Sequence, residues 1–230
     1  MPLAPNLDRR SAISARASPT DQAQLAAAET NVVAIVDDDP IVREAVKDLL
    51  LSVGLAVRAF ATAHDCLAGM DPQNTACLVL DVRLPDLNGL DFHDQLKRSS
   101  VPVPVVFISG YADVGMSVRA MKAGAVEFLP KPFHDQDLLD AIQRGIEQRR
   151  KQREKDTAVA AVKAGWATLT AREREVMVRV VGGLRNKTIA VELGISEATV
   201  KAHRGHVMLK MGARTLPDLV RMSDTLRQAH

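Results

Sequence analysis

LVLDVRLPDLNG, residues 78–89, decides how this chain is read. Leu78, Val79 and Leu80 have strand character, and the run ends on an acid, Asp81, followed by a turn rich in Pro, Asp, Asn and Gly. The turn itself holds no Ser, Cys or His to serve as a nucleophile, so any chemistry there rests on the Asp81 carboxylate itself.

On either side of this stretch the same unit recurs. NVVAIVDDD (31–39) reads as a buried strand, and PIVREAVKDLLLSVG (40–54) as a helix stopped by Gly54. Strand LAVRAFA precedes helix AHDCLAGM, and strand ACLVLD precedes helix LDFHDQLKRS. Strand VPVVFIS then precedes helix DVGMSVRAMKAG, and strand VEFLPK precedes helix QDLLDAIQRGIEQRR. Five strand–helix pairs predict an α/β fold with a doubly wound parallel sheet, (βα)5. In such a sheet the loops at the carboxyl ends of the strands form the binding crevice. Asp37, Asp38 and Asp39 stand at the first of those ends, Asp81 at the third, Ser109 at the fourth and Lys131 at the fifth.

Charge divides the chain in two. Residues 31–148 carry 17 acidic and 10 basic side chains, whereas residues 149–230 carry 8 acidic and 17 basic ones. An acidic half that binds cations and a basic half that binds a polyanion, nucleic acid first among them, fit that division. The last segment is wholly helical in pattern. LTAREREVMVRVVGGL opens with Thr170 and Glu173 in capping-box spacing, KTIAVELGI ends at Gly194, SEATVKAHRGHVMLKMG runs from Ser196 to Gly212, and TLPDLVRMSDTLRQ follows. The second and third of these form a helix-turn-helix pattern. In the third, Val200, His203, Val207 and Met211 face a core, while Ala198, Lys201, Ala202, Gly205 and Leu209 form the opposite stripe. Small residues there let the backbone approach base edges, and Lys201 supplies the chief polar contact. Arg204, Lys187, Arg185 and Lys210 are expected on phosphates. His203 and His206 read as packed residues, and a metal role for them is rejected.

Between the halves, EQRRKQREKDTAVAAVKAGW (147–166) reads as a solvated helical linker. The divisions are therefore a disordered tail over 1–30, an α/β domain over 31–148, a linker over 149–167 and a helical domain over 168–230. Cys66 and Cys77 lie in apolar surroundings without metal-ligand spacing, which points to reduced core thiols and the cytoplasm. No apolar run is long enough for a membrane span or a signal peptide.

Three carboxylates drawn together repel unless a cation neutralises them, and hard oxygen donors suit Mg²⁺. With that charge offset, Asp81 can act as nucleophile toward a phosphoryl group, with Lys131 as a second cation and Ser109 as a hydroxyl donor. VDDD, LDVRLPDLNG, ISG and KPF stand in the order found in receiver domains, which residues 31–148 resemble. The resemblance implies that Asp81 accepts a phosphoryl group from a sensor histidine kinase. It implies Mg²⁺ held by Asp37 or Asp38 with Asp81 and the Arg83 carbonyl, switch positions at Ser109 and Phe128, and a cis peptide between Lys131 and Pro132. On phosphorylation the aromatic at Phe128 is expected to turn inward. LTARE, GLRNKTIAVELGIS, TVKAHRGHV and KM resemble the LuxR/FixJ-type DNA-binding domain, and KAGAVEFLPKPF and RTLPDLVRM are similar to the FixJ and styrene-response subgroup. That resemblance implies a dimeric regulator of transcription that binds double-stranded promoter DNA, works with RNA polymerase, and places Thr199 with Lys201, Ala202 and Gly205 at the DNA. An Mg²⁺-dependent aspartyl phosphatase is the enzyme alternative, but such enzymes commonly carry an acid two residues after the nucleophile, and here that residue is Arg83. A regulator whose receiver has lost phosphorylation is the other alternative; the complete set of acid, hydroxyl and lysine argues against it.

Overall fold

Strand β3, Thr75–Asp81, is buried along its whole length because it is the middle strand of a five-stranded parallel sheet. The sheet order is β2-β1-β3-β4-β5, with β1 Val32–Val36, β2 Ala56–Phe60, β4 Val105–Ser109 and β5 Glu127–Pro130. The computed structural model describes residues 32–99, 103–111 and 113–228, so the expected tail over 1–30 lies outside the described residues.

Alternation along the strands feeds two apolar layers. Leu78, Leu80 and Val82 pack on one face with Ala63 and Cys66 of α2 (Ala63–Gly69), Leu90, Phe92 and Leu96 of α3 (Gly89–Arg98), and Ala120 of α4 (Val114–Lys122). Cys77 and Val79 pack on the other face with Val46 and Leu50 of α1 (Pro40–Ser52) and with Leu138, Ala141 and Ile142 of α5 (Asp135–Ala167). Covering both faces is what makes the strands read as continuous apolar runs. Burial pushes the thiols of Cys66 and Cys77 up to about 12, and both cysteines are free.

The chain divides into two compact units between Lys151 and Gln152. The linker drawn over 149–167 is thereby shortened at both ends. Arg149 is buried and donates to the Pro72 carbonyl at 2.9 Å, so it belongs to the first unit. Val162 and Trp166 pack into the core of the second. The second unit holds the last turns of α5 with α6 (Ala171–Val181), α7 (Asn186–Leu193), α8 (Glu197–Met211) and α9 (Leu216–Gln228). Val176, Met177, Ile189, Val200, Val207 and Leu219 form its core. The Thr170/Glu173 capping box is formed, and Gly194 and Gly212 end α7 and α8 in the left-handed conformation that glycine adopts at least cost. Among the described residues no helix is long and apolar enough to cross a membrane.

Candidate functional site

The sheet order reverses direction between β1 and β3, and the carboxyl ends of those strands bring the acids together. Asp37 follows β1 and is fully buried; Asp81 closes β3 and is 6% exposed. Two buried carboxylates need a cation. Lys131, following β5, supplies it, with Nζ 2.6 Å from Asp37 Oδ2 and 2.6 Å from Asp81 Oδ2. Burial pushes the Asp37 carboxyl upward, against the pull of the Lys131 ammonium. Desolvation works to lower Lys131, but its bonds to the two carboxylates outweigh it and hold the amine above its usual range. Asp38 is exposed beside them, and carboxylate oxygens of Asp37, Asp38 and Asp81 lie within 4.8 Å of one another. Hard oxygens at that spacing fit an Mg²⁺ ion.

Asp39, the remaining acid of the triplet, works on the backbone instead, where its Oδ1 accepts the Ile41 amide at 2.8 Å and caps α1. Ser109 ends β4 and is 1% exposed. Its Oγ accepts the Tyr111 amide at 3.3 Å, its carbonyl accepts the Lys131 amide at 2.7 Å, and the Lys131–Pro132 peptide is cis. Phe128, the other expected switch position, is buried, 6.4 Å from the Phe107 ring between centroids. Its apolar ring fills space in the layer that holds Phe107, which favours the inward position.

The turn after Asp81 is fixed by hydrogen bonds. Asp81 Oδ1 accepts the Arg83 amide at 3.0 Å, and Arg83 and Asn88 form an isolated bridge. Asp86 accepts the amides of Ala63 and His64 at 3.3 and 2.9 Å, tying the turn to the start of α2. The Arg83 guanidinium stacks over the Tyr111 ring at 4.0 Å. Tyr111 went unrecognised in the sequence, where nothing local marks it as a partner of a residue on another loop.

In the second unit, Lys201, Ala202, Gly205 and Leu209 are exposed on α8, while Val200, Val207 and Met211 are buried. Thr199 takes part in the cap of α8: its amide donates to Ser196 Oγ at 3.1 Å, and the two hydroxyls lie 2.8 Å apart. Lys187 and Arg185 are exposed at the start of α7. Two of the basic residues expected on phosphates also have partners inside the unit. Arg204 donates to Asn186 Oδ1 at 2.6 Å, joining α8 to α7. Lys210 lies 2.6 Å from Oε2 of Glu173, a carboxylate 3% exposed that would otherwise be buried without its ammonium.

Comparisons with known proteins agree with both units. Residues 33–143 match the response regulator receiver domain, and residues 167–223 match the luxR family of bacterial regulatory proteins. Nodulation protein W of Bradyrhizobium diazoefficiens is 52% identical over 195 residues, 85% of this chain and 86% of that one. The chain belongs to the response regulators. Among other members, the transcriptional regulatory protein FixJ of Rhizobium meliloti is 41% identical over 83% of this chain and 94% of its own. The solved structure of response regulator StyR has a TM-score of 0.78 at 43% identity, covering 85% of this chain and 98% of that one. This response regulator thus joins a receiver domain to a LuxR-type DNA-binding domain and regulates transcription within a two-component system.

Proposed function

We propose that Asp81 is the phosphoacceptor of this regulator. The observation that carries the reading is the Lys131 ammonium held 2.6 Å from both Asp37 and Asp81. The acceptor is thereby kept beside a fixed positive charge where negative charge accumulates. In the transfer, the phosphorus–nitrogen bond of a kinase phosphohistidine breaks as a bond forms from phosphorus to an Asp81 oxygen. Asp37, Asp38, Asp81 and the Arg83 carbonyl would hold Mg²⁺, whose bound charge offsets that of the phosphoryl oxygens. Ser109, buried at the end of β4, donates its hydroxyl to a phosphoryl oxygen, and the modification adds about −1.5 to −2 charge at that point.

The sensor kinase meets the receiver at a cleft of about 480 Å³ beside Lys131, walled by Ile41, Val42, Ala45, Leu49 and Phe133. Ile41, 79% exposed, is an apolar side chain available for a partner's helix. Ser109 and Phe128 act as switch positions that couple Asp81 to α4 and β5. That face presents Val114, Val118 and Met121 to solvent, and phosphorylation pairs two receivers through it. The dimer reads two half-sites of duplex promoter DNA about one turn apart, in the cytoplasm and together with RNA polymerase. Lys201, Ala202 and Gly205 of α8 lie at the bases, with Thr199 and Lys187 nearby. Arg204 and Lys210 serve chiefly as the internal ties described above.

The test is the solution mass of the full-length protein by light scattering, with and without Mg²⁺ and beryllofluoride. A monomer that becomes a dimer, and fails to do so in Asp81→Asn, is expected. Identical masses under both conditions would remove phosphorylation-driven pairing from the reading.

A further inference from the structure

Glu173 places an acid beside His203 and His206 of α8, which their helical spacing had marked as packed residues without a metal role. We propose that Glu173, His203 and His206 bind a borderline transition-metal dication of the Zn²⁺ kind in the DNA-binding unit. This site is separate from the receiver's acid pocket and does not depend on the function proposed above.

Ligand atoms of the three residues lie within 4.8 Å of one another. A tetrahedral zinc site, with bonds of about 2.0–2.2 Å, sets its ligand atoms roughly 3.3 Å apart, so the set has to draw together by at most about 1.5 Å. The donor types are right: two imidazoles and one carboxylate suit zinc and its neighbours better than Mg²⁺ or Ca²⁺. His203 and His206 are three residues apart on one helix, a spacing that presents both to the same neighbour.

The two oxygens of the carboxylate are engaged differently. Oε2 accepts the Thr170 amide at 2.8 Å and the Lys210 ammonium at 2.6 Å. Oε1 faces His206 Nδ1 at 3.6 Å, too far for a good hydrogen bond and near enough for a shared ion. The Thr170 bond orients the group in the way outer partners orient metal ligands. Both bonds hold the Glu173 carboxyl down to about 2, so it stays ionised. His203 adds a second observation: its Nδ1 is buried without a hydrogen-bond partner, so this ring has unused polar capacity inside the unit.

Lys210 opposes the ion. Its ammonium shares the same carboxylate and repels a dication, so the site binds more weakly than a structural zinc centre. That opposition gives the proposal its most discriminating consequence, because removing the ammonium must tighten binding.

The experiment uses the full chain in excess Mg²⁺, which occupies the receiver's acids, with Co²⁺ as a spectroscopic probe displaced by Zn²⁺. One ion per chain with visible d–d absorption is expected, lost in His206→Gln and in His203→Gln and kept in Asp38→Asn. Lys210→Gln should bind at least about tenfold more tightly. His206 is 64% exposed in its side chain, so His206→Gln keeps its fold, which thermal unfolding checks. Uptake unchanged in both histidine variants, uptake lost in Asp38→Asn, or weaker binding in a folded Lys210→Gln would each overturn the proposal.

Discussion

A Cβ added at Gly89 would lie 2.3 Å from the carbonyl oxygen of Asp81 and 3.0 Å from the Cα of Val82. Both neighbours are backbone, so neither can rotate away. Gly89 is the first residue of α3, and its amide donates to the Val82 carbonyl at 2.8 Å, so the helix start is pressed against the strand end that carries the candidate nucleophile.

Gly89→Ala must therefore move Asp81 or the start of α3. The expected cost is about 1–3 kcal/mol of receiver stability, together with most of the phosphorylation of Asp81 by acetyl phosphate. Gly110 follows Ser109 and has open space where its Cβ would go. Gly110→Ala should then change stability by no more than about 0.5 kcal/mol. Denaturant unfolding and a phosphate-affinity gel shift measure the two effects; equal behaviour of the two variants would refute the crowding argument.

Arg83 and Tyr111 stand on different loops beside Asp81, and their stack joins the two loops. Both are exposed, so the contact is worth only about 0.5–1 kcal/mol to the fold. Its larger effect is expected on water at Asp81. Tyr111→Ala should leave stability nearly unchanged while shortening the lifetime of the phosphoryl group several-fold, and Tyr111→Phe should preserve it. Release of inorganic phosphate from phosphorylated protein reads this directly. A lifetime equal to wild type in both Tyr111→Ala and Arg83→Ala would show that the stack does not shield the site.

The receiver was legible in the sequence because its signals are local. Each acid or hydroxyl of the site closes a strand, so the strand pattern alone brings Asp37, Asp81, Ser109 and Lys131 to one edge. The outward stripe of α8 was legible for the same reason, since helical spacing separates Val200 and Val207 from Lys201 and Gly205. What escaped was pairing over distance. Lys210 meets Glu173 37 residues away and Arg204 meets Asn186 18 away, and no local pattern announces either. The ends of the linker escaped because α5 is one continuous helix, and a solvated turn resembles a packed one wherever charged residues such as Arg149 are buried.

His93 is 4% exposed, edge-on to Phe107 at 5.5 Å between centroids, and its Nδ1 has no hydrogen-bond partner. Burial, aided by the charge of Lys97 and opposed by Asp94, pushes its pKa below the ordinary value of 6.5. The folded state therefore binds fewer protons than the unfolded one between the depressed pKa and about 6.5. Receiver stability contributed by neutral His93 is present above that upper limit and declines as pH falls below it. Urea unfolding at pH 7.5 and 5.5 should show the decline, and His93→Leu should remove most of it at a cost below about 1.5 kcal/mol at the higher pH. An unchanged pH slope in His93→Leu would assign the decline to other groups.

Gly205 lies inside α8 rather than at its end, and a Cβ there would meet nothing within 4 Å. Its backbone has no positive φ to require glycine, so within the isolated fold the residue only weakens the helix. Gly205→Ala should raise stability by about 0.5–1 kcal/mol, visible as a higher unfolding temperature of the DNA-binding unit. A residue that weakens its own helix is explained if the backbone must come close to a ligand, and the exposed stripe with Lys201 and Ala202 gives that ligand a place. Specific promoter affinity should then fall by about tenfold in the same variant, while salt-dependent binding to random duplex stays as it was. A variant that is more stable and binds its promoter equally well would mean that α8 meets DNA along a different face.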